Sequence, residues 1–133
     1  MPYSRWLVCG SRTKGRPEYS KIVERILDER LSDTKAMEPR GSDWNPECII
    51  HGCCQDSADA YAEKWAERKG IKIDHNPATE GNYLKRNIEM VKKADLVVAF
   101  WDGFSYGTAQ TIAQAVMRRK PIKVINLGAR EVV

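Results

Sequence analysis

Four short stretches of this 133-residue chain carry the side chains suited to holding an anion. Gly10-Ser11-Arg12 offers a turn-forming glycine, a hydroxyl and a guanidinium fork that matches two phosphate oxygens. As a tripeptide alone it reads equally well as a solvated turn. His51-Gly52-Cys53-Cys54-Gln55-Asp56-Ser57-Ala58-Asp59 places Ser57, a good helix N-cap, just before Asp59. In a first helical turn Asp59 complements the dipole, worth roughly 0.3–1 kcal/mol, and its acceptor-only carboxylate also suits ribose hydroxyls. Arg86-Asn87 adds a second guanidinium and an amide. The last stretch, Trp101-Asp102-Gly103-Phe104-Ser105-Tyr106-Gly107-Thr108, is a glycine-bounded turn leading into a helix. Its backbone N–H groups and the positive end of that helix form a candidate phosphate cradle.

These stretches need a scaffold that gathers them on one edge. Leu96 to Phe100 is a continuous apolar run, the mark of a strand buried on both faces. Arg5–Cys9, Cys48–Ile50, Ile71–Ile73 and Ile122–Ile125 read as four more strands. Between them lie four helical patterns. Residues 17–31 carry Ile22, Val23, Ile26, Leu27 and Leu31 at helical spacing, with Pro17 in the first turn. The second runs from the Ser57 cap to Gly70, with Ala58, Tyr61, Ala62, Trp65 and Ala66 as its stripe. The third is Tyr83 to Lys93, with Leu84, Ile88, Val91 and Ala94 on one face. The fourth is about Tyr106 to Arg119, with Ile112, Ala115 and Val116 inward.

Residues 32–46 lack a period and are rich in turn formers, so they are expected to be a surface insertion loop, with Trp44 as its anchor to the body. The tail from Asn126 is unassigned. Alternation of strand and helix predicts one α/β domain over 1–133. It is Rossmann-like and three-layered, with five parallel strands ordered 3-2-1-4-5 and helices on both faces. In such a sheet the loops after strands one, two and four open on one crevice.

Composition narrows the function classes. No run approaches the 18 or so apolar residues that span a membrane, and the start has no signal-peptide pattern, so a cytoplasmic protein is expected. The net charge of +4 is interleaved, as in Glu67-Arg68-Lys69, which argues for solvated helix faces over a nucleic-acid patch. Cys9, Cys48, Cys53 and Cys54 lack C-x-x-C spacing, and with two histidines, His51 and His75, no metal site is expected. No cofactor is expected either. Cys9 and Cys48 read as small buried hydrophobes, and Cys53 and Cys54 fall in a ligand-facing loop.

Taken in order, Gly10-Ser11-Arg12, the His-Gly-x-Cys-x-x-x-Ala-Asp segment, Arg86-Asn87 with Glu89-Met90, and the motif from Ala94-Asp95 to Gly107-Thr108 resemble the SLOG superfamily. That group includes the DprA/Smf proteins and the LOG phosphoribohydrolases. The nearest likeness is to its small single-domain YspA-like (YAcAr) branch of bacteria and phages. The resemblance implies a nucleotide or nucleotide-derived ligand and a homodimer. Its ligand-binding set would be Gly10, Ser11, Arg12, Gly52, Asp59, Arg86, Asn87, Asp102, Gly103, Ser105, Gly107 and Thr108. LOG enzymes cleave the N-glycosidic bond of nucleoside monophosphates, and their motif carries a glutamate where this chain has Thr111. A carboxylate stabilises the oxocarbenium-like state of such a cleavage. Without it, catalysis would fall to Arg86, Asp59 and Asp102. Ser57 also departs from the branch, which has glycine before Ala-Asp. The expected function is therefore nucleotide binding, for sensing or sequestration. An N-glycosidase is the alternative, and DprA-like binding of single-stranded DNA is a weaker third.

Overall fold

The computed structural model describes residues 4–12, 16–38 and 43–128. Five strands, β1 (Arg5–Gly10), β2 (Cys48–His51), β3 (Lys72–His75), β4 (Leu96–Trp101) and β5 (Ile122–Asn126), alternate with four helices. These are α1 (Glu18–Met37), α2 (Ala58–Lys69), α3 (Tyr83–Lys93) and α4 (Tyr106–Met117). The sheet is entirely parallel and ordered β3-β2-β1-β4-β5, as the alternation predicts.

Side chains leave a strand on alternate faces, and here both faces are covered. Trp6, Val8, Ile49, Val98 and Phe100 pack toward α1 and α2, against Val23, Leu27 and Trp65. Leu7, Cys9, Ile50, Val97 and Ala99 pack toward α3 and α4, against Met90, Val91 and Ala115. β1 and β4 lie at the centre of the sheet, and the chain reverses its direction of winding between them.

Helix ends follow local chemistry. Ser57 Oγ accepts the N–H of Asp59 at the start of α2, and Gly70 ends the helix at φ 70°, where a Cβ would be strained. α1 runs further than the residue pattern suggests. Ser32, Asp33 and Thr34 favour turns in isolation, yet residues 32–37 continue the helix. Leu31 and Thr34 are buried there, and Thr34 Oγ1 satisfies itself on Arg30 O at 2.8 Å. The expected 32–46 loop thus shrinks to the segment after Met37, of which residues 39–42 lie outside the described residues. Trp44 is buried, with its ring 6.4 Å from that of Trp6.

Two helix faces need correction. Leu84 and Val116, expected inward, are 52% and 60% exposed. Leu84 lies in the first turn of α3 and Val116 in the last turn of α4, where the apolar period continues without burial.

Candidate functional site

A cavity of about 540 Å³ opens at the carboxyl ends of the strands, beside the point where winding reverses between β1 and β4. Gly10, Arg12, Gly52, Asp59, Arg86, Asn87, Ser105, Gly107 and Thr108 all line it. Gly10 is there for closeness. A Cβ at this position would stand 2.7 Å from Ala58 Cβ and 2.9 Å from Phe100 O. Only glycine lets β1 end against the start of α2 and the edge of β4.

Asp59 organises one wall. Its Oδ2 accepts the N–H of Gly52 and that of Cys54, each at 3.1 Å. The loop after β2 is thereby folded back onto the first turn of α2. The residue is 5% exposed. Burial drives its pKa up, against the opposing pull of the Cys54 and Gly52 amides, His51 and Arg86. A buried carboxylate with a raised pKa lining a concave site is a candidate binding group.

Arg86 forms the facing wall. Nη1 donates to Gly52 O at 2.7 Å and Asn76 O at 3.0 Å, and Nε donates to Asn87 Oδ1 at 2.8 Å. Asn87 Nδ2 in turn donates to Gln110 Oε1 at 3.0 Å, tying α3 to α4. No hydrogen bond of Nη2 is found among the described residues, and the guanidinium lies over the Tyr83 ring, its Cζ 5.8 Å from the centroid. Gly52 permits this packing: a Cβ there would lie 2.6 Å from Arg86 Nη1.

The turn after β4 works differently from its sequence reading. Asp102 Oδ1 accepts the N–H groups of Phe104 and Ser105, both at 2.8 Å. Burial alone would raise its pKa, but those two amides hold it below the usual carboxylate range. Ser11 is 1% exposed, and its Oγ accepts the N–H of Asp102 at 3.1 Å. Gly103 supplies the turn, at φ 88°. Ser11, Asp102 and Gly103 thus shape this turn and do not line the cavity. Two of the amides expected to cradle phosphate are already occupied by Asp102. The N–H groups left for a ligand are those of Tyr106, Gly107 and Thr108, which have no acceptor within α4. Nothing lies within 4 Å of the place where a Gly107 Cβ would stand, so that end of the helix is open.

Of the three residues considered for catalysis, Asp59 and Arg86 share the cavity and Asp102 does not. Thr111 also lines it, but its Oγ1 is turned to Gly107 O at 3.0 Å. Cys9, Gln55, Pro77, Ala78, Tyr83 and Met90 complete the lining with Cys53 and Cys54. Pro77 and Ala78 come from the loop after β3, and as apolar residues in a polar loop they give no chemical sign of lining a site. Burial pushes the thiols of Cys9 and Cys53 up, away from the reactive thiolate.

Behind this wall the two histidines meet. His51 Nε2 and His75 Nε2 lie 2.9 and 2.6 Å from the same atom, Glu63 Oε1. Among the described residues this trio is the one group whose composition suits a metal, and its three ligand atoms lie within 4.8 Å of one another. Residue spacing conceals it, because the three come from β2, α2 and β3.

No family model matches the chain, and no curated protein matches it.

The raised pKa of Asp59 has a sign. The folded state holds this proton more tightly than the unfolded one, so the contribution is full below the ordinary carboxylate range. It is lost as pH rises through the raised value. Asp59→Asn keeps an oxygen for both amides and sheds the buried charge. Urea unfolding is expected to show the variant more stable than wild type at pH 8, with the gap closing toward pH 4. A variant less stable at pH 8 would make Asp59 a structural group.

Proposed function

We propose that the chain binds a nucleotide or nucleotide-derived ligand at the carboxyl edge of its sheet. The observation that carries this reading is the convergence of three chemically distinct surfaces on one cavity. The open N-terminus of α4 and the Arg86 guanidinium, both lining the cavity, suit a phosphate. Arg12 adds a second guanidinium. Asp59 suits a pair of ribose hydroxyls, and the apolar patch of Pro77, Ala78, Tyr83 and Met90 suits the face of a base. The volume falls within the range of roughly 300–1,000 Å³ typical of small-molecule sites.

Sensing or sequestration fits better than turnover. Glycosidic cleavage needs a carboxylate against the developing oxocarbenium, typically worth several kcal/mol as preorganised charge. Thr111 offers only a hydroxyl already committed to Gly107 O. The second reading, a nucleoside-monophosphate N-glycosidase, is favoured by one observation: Asp59 has the raised pKa of a general acid.

A cytoplasmic homodimer belongs to the same proposal. No helix among the described residues is long and apolar enough to cross a membrane. α4 carries no charged residue, and Tyr106, Val116 and Met117 stand 84%, 60% and 73% exposed on it. A dimer seam along α4 would cover them. Sedimentation at micromolar concentration is expected to give twice the chain mass; a monomer would remove the dimer from the proposal.

Thermal shift with AMP, ADP-ribose, NAD and cyclic nucleotides is expected to raise Tm for at least one. Arg86→Ala should weaken that ligand at least about tenfold, the cost of a charge-assisted hydrogen bond. No shift at millimolar ligand would refute the binding reading. Free base released from a monophosphate by wild type, and not by Asp59→Ala, would select the enzyme.

A further inference from the structure

The chain has two histidines, and both meet at one carboxylate. His51 and His75 are paired in register at the ends of β2 and β3. Ile49 and Ile73, two residues earlier, leave by the same face and join the core that α2 covers. α2 buries Ala62, Trp65 and Ala66 there and brings Glu63 to the strand ends. His51 Nε2 and His75 Nε2 stand 2.9 and 2.6 Å from Glu63 Oε1. The rings are nearly perpendicular, at 82° with centroids 5.1 Å apart, so each aims a nitrogen at one point without stacking on the other. None of the three residues lines the large cavity.

We propose that His51, Glu63 and His75 bind a divalent transition-metal ion, zinc first among them. Two imidazole nitrogens and a carboxylate oxygen are donors that such ions take, whereas magnesium and calcium are held by oxygen. The three ligand atoms already lie within 4.8 Å of one another. Zinc bonds of about 2.0–2.2 Å would set them about 3.4 Å apart in a tetrahedron, so the nitrogens must draw off Glu63 by roughly 0.5–0.8 Å. Most of that falls to the exposed members. The side chains of Glu63 and His75 are 34% and 54% exposed, and that of His51 is 4% exposed. Three protein ligands leave the fourth position to water.

One contact sets the strength of the site. His51 Nδ1 accepts the N–H of Cys53 at 2.9 Å, so in the metal-free protein the ring proton sits on Nε2 and is donated to Glu63. Zinc takes the Nε2 lone pair. The Nε2 proton leaves to solvent and Nδ1 takes one up, so the ring stays neutral. Nδ1 then no longer accepts, and loading costs the Cys53 hydrogen bond, about tenfold in affinity. Arg86 still holds Gly52 O, and Asp59 and Ser57 still hold Cys54, so the adjustment is a tilt of the His51 ring with the loop in place. The site is thus suited to an exchangeable ion with water at one position, in contrast to a closed structural centre. It would clamp β3, at the edge of the sheet, to β2 and α2.

The test needs no nucleotide and is independent of the binding reading above. Zn²⁺ is titrated into the reduced protein at about pH 7.5, followed by calorimetry and by long-range ¹H–¹⁵N spectra of the imidazoles. One equivalent is expected to bind at micromolar concentration, shift both histidines, move the Cys53 amide signal and raise Tm by mass action. Glu63→Gln keeps an acceptor oxygen for the rings, and His75→Gln changes an exposed position, so both should fold. Each is expected to weaken Zn²⁺ at least about a hundredfold, the upper end of what loss of a ligand's supporting hydrogen bond costs. Co²⁺ should give the visible absorption of a four-coordinate site with nitrogen and oxygen donors. Imidazoles left unshifted by millimolar Zn²⁺ would overturn the proposal. So would binding that survives both variants, or intense thiolate-to-Co²⁺ absorption in the near ultraviolet, which would assign the ion to the cysteines.

Discussion

One carboxylate oxygen, Asp59 Oδ2, holds the site together. By accepting the amides of Gly52 and Cys54 it folds the loop after β2 onto the start of α2. That placement sets Gly52 O where Arg86 Nη1 can reach it, and Arg86 in turn fixes Asn87 and, through it, Gln110 of α4. A chain of polar contacts thus runs from β2 to the helix whose N-terminus faces the cavity. The links are side chain to backbone, guanidinium to amide, and amide to amide, so none is an ion pair.

The same residue is expensive to keep. Burial of an ionised carboxylate is unfavourable unless its partners compensate, and here the net effect is a raised pKa. A fold needing only a cap at this point would do as well with asparagine. The cost is intelligible if the charge is needed when a ligand arrives. By contrast Asp102, whose pKa is lowered by the amides it accepts, is comfortable where it sits. The two acids sit at different points of their β–α connections: Asp102 directly after β4, Asp59 in the first turn of α2. Their electrostatics differ with their places: Asp102 shapes a turn outside the cavity, and Asp59 is buried in its lining.

Strand order and helix placement were legible because a parallel sheet announces itself by apolar runs alternating with amphipathic stripes. Ser57 and Gly70 marked their helix ends by chemistry that acts locally. What local pattern missed was settled by tertiary contacts. Residues 32–37 are helical because Leu31 and Thr34 have a core to face. Asp102 and Ser11 looked like ligand contacts by type, yet they bond within the turn and between adjacent loops. The His51–Glu63–His75 cluster was invisible because strand pairing, not spacing, brings its members together.

The most direct measurement is amide chemical-shift mapping of the ¹⁵N-labelled protein during titration with AMP. The account expects the largest changes at Gly107 and Thr108, with Gly52 and the Arg86 side chain moving along the same saturation curve. Changes confined to other surfaces, or none at millimolar AMP while ADP-ribose and NAD also leave these signals in place, would contradict it.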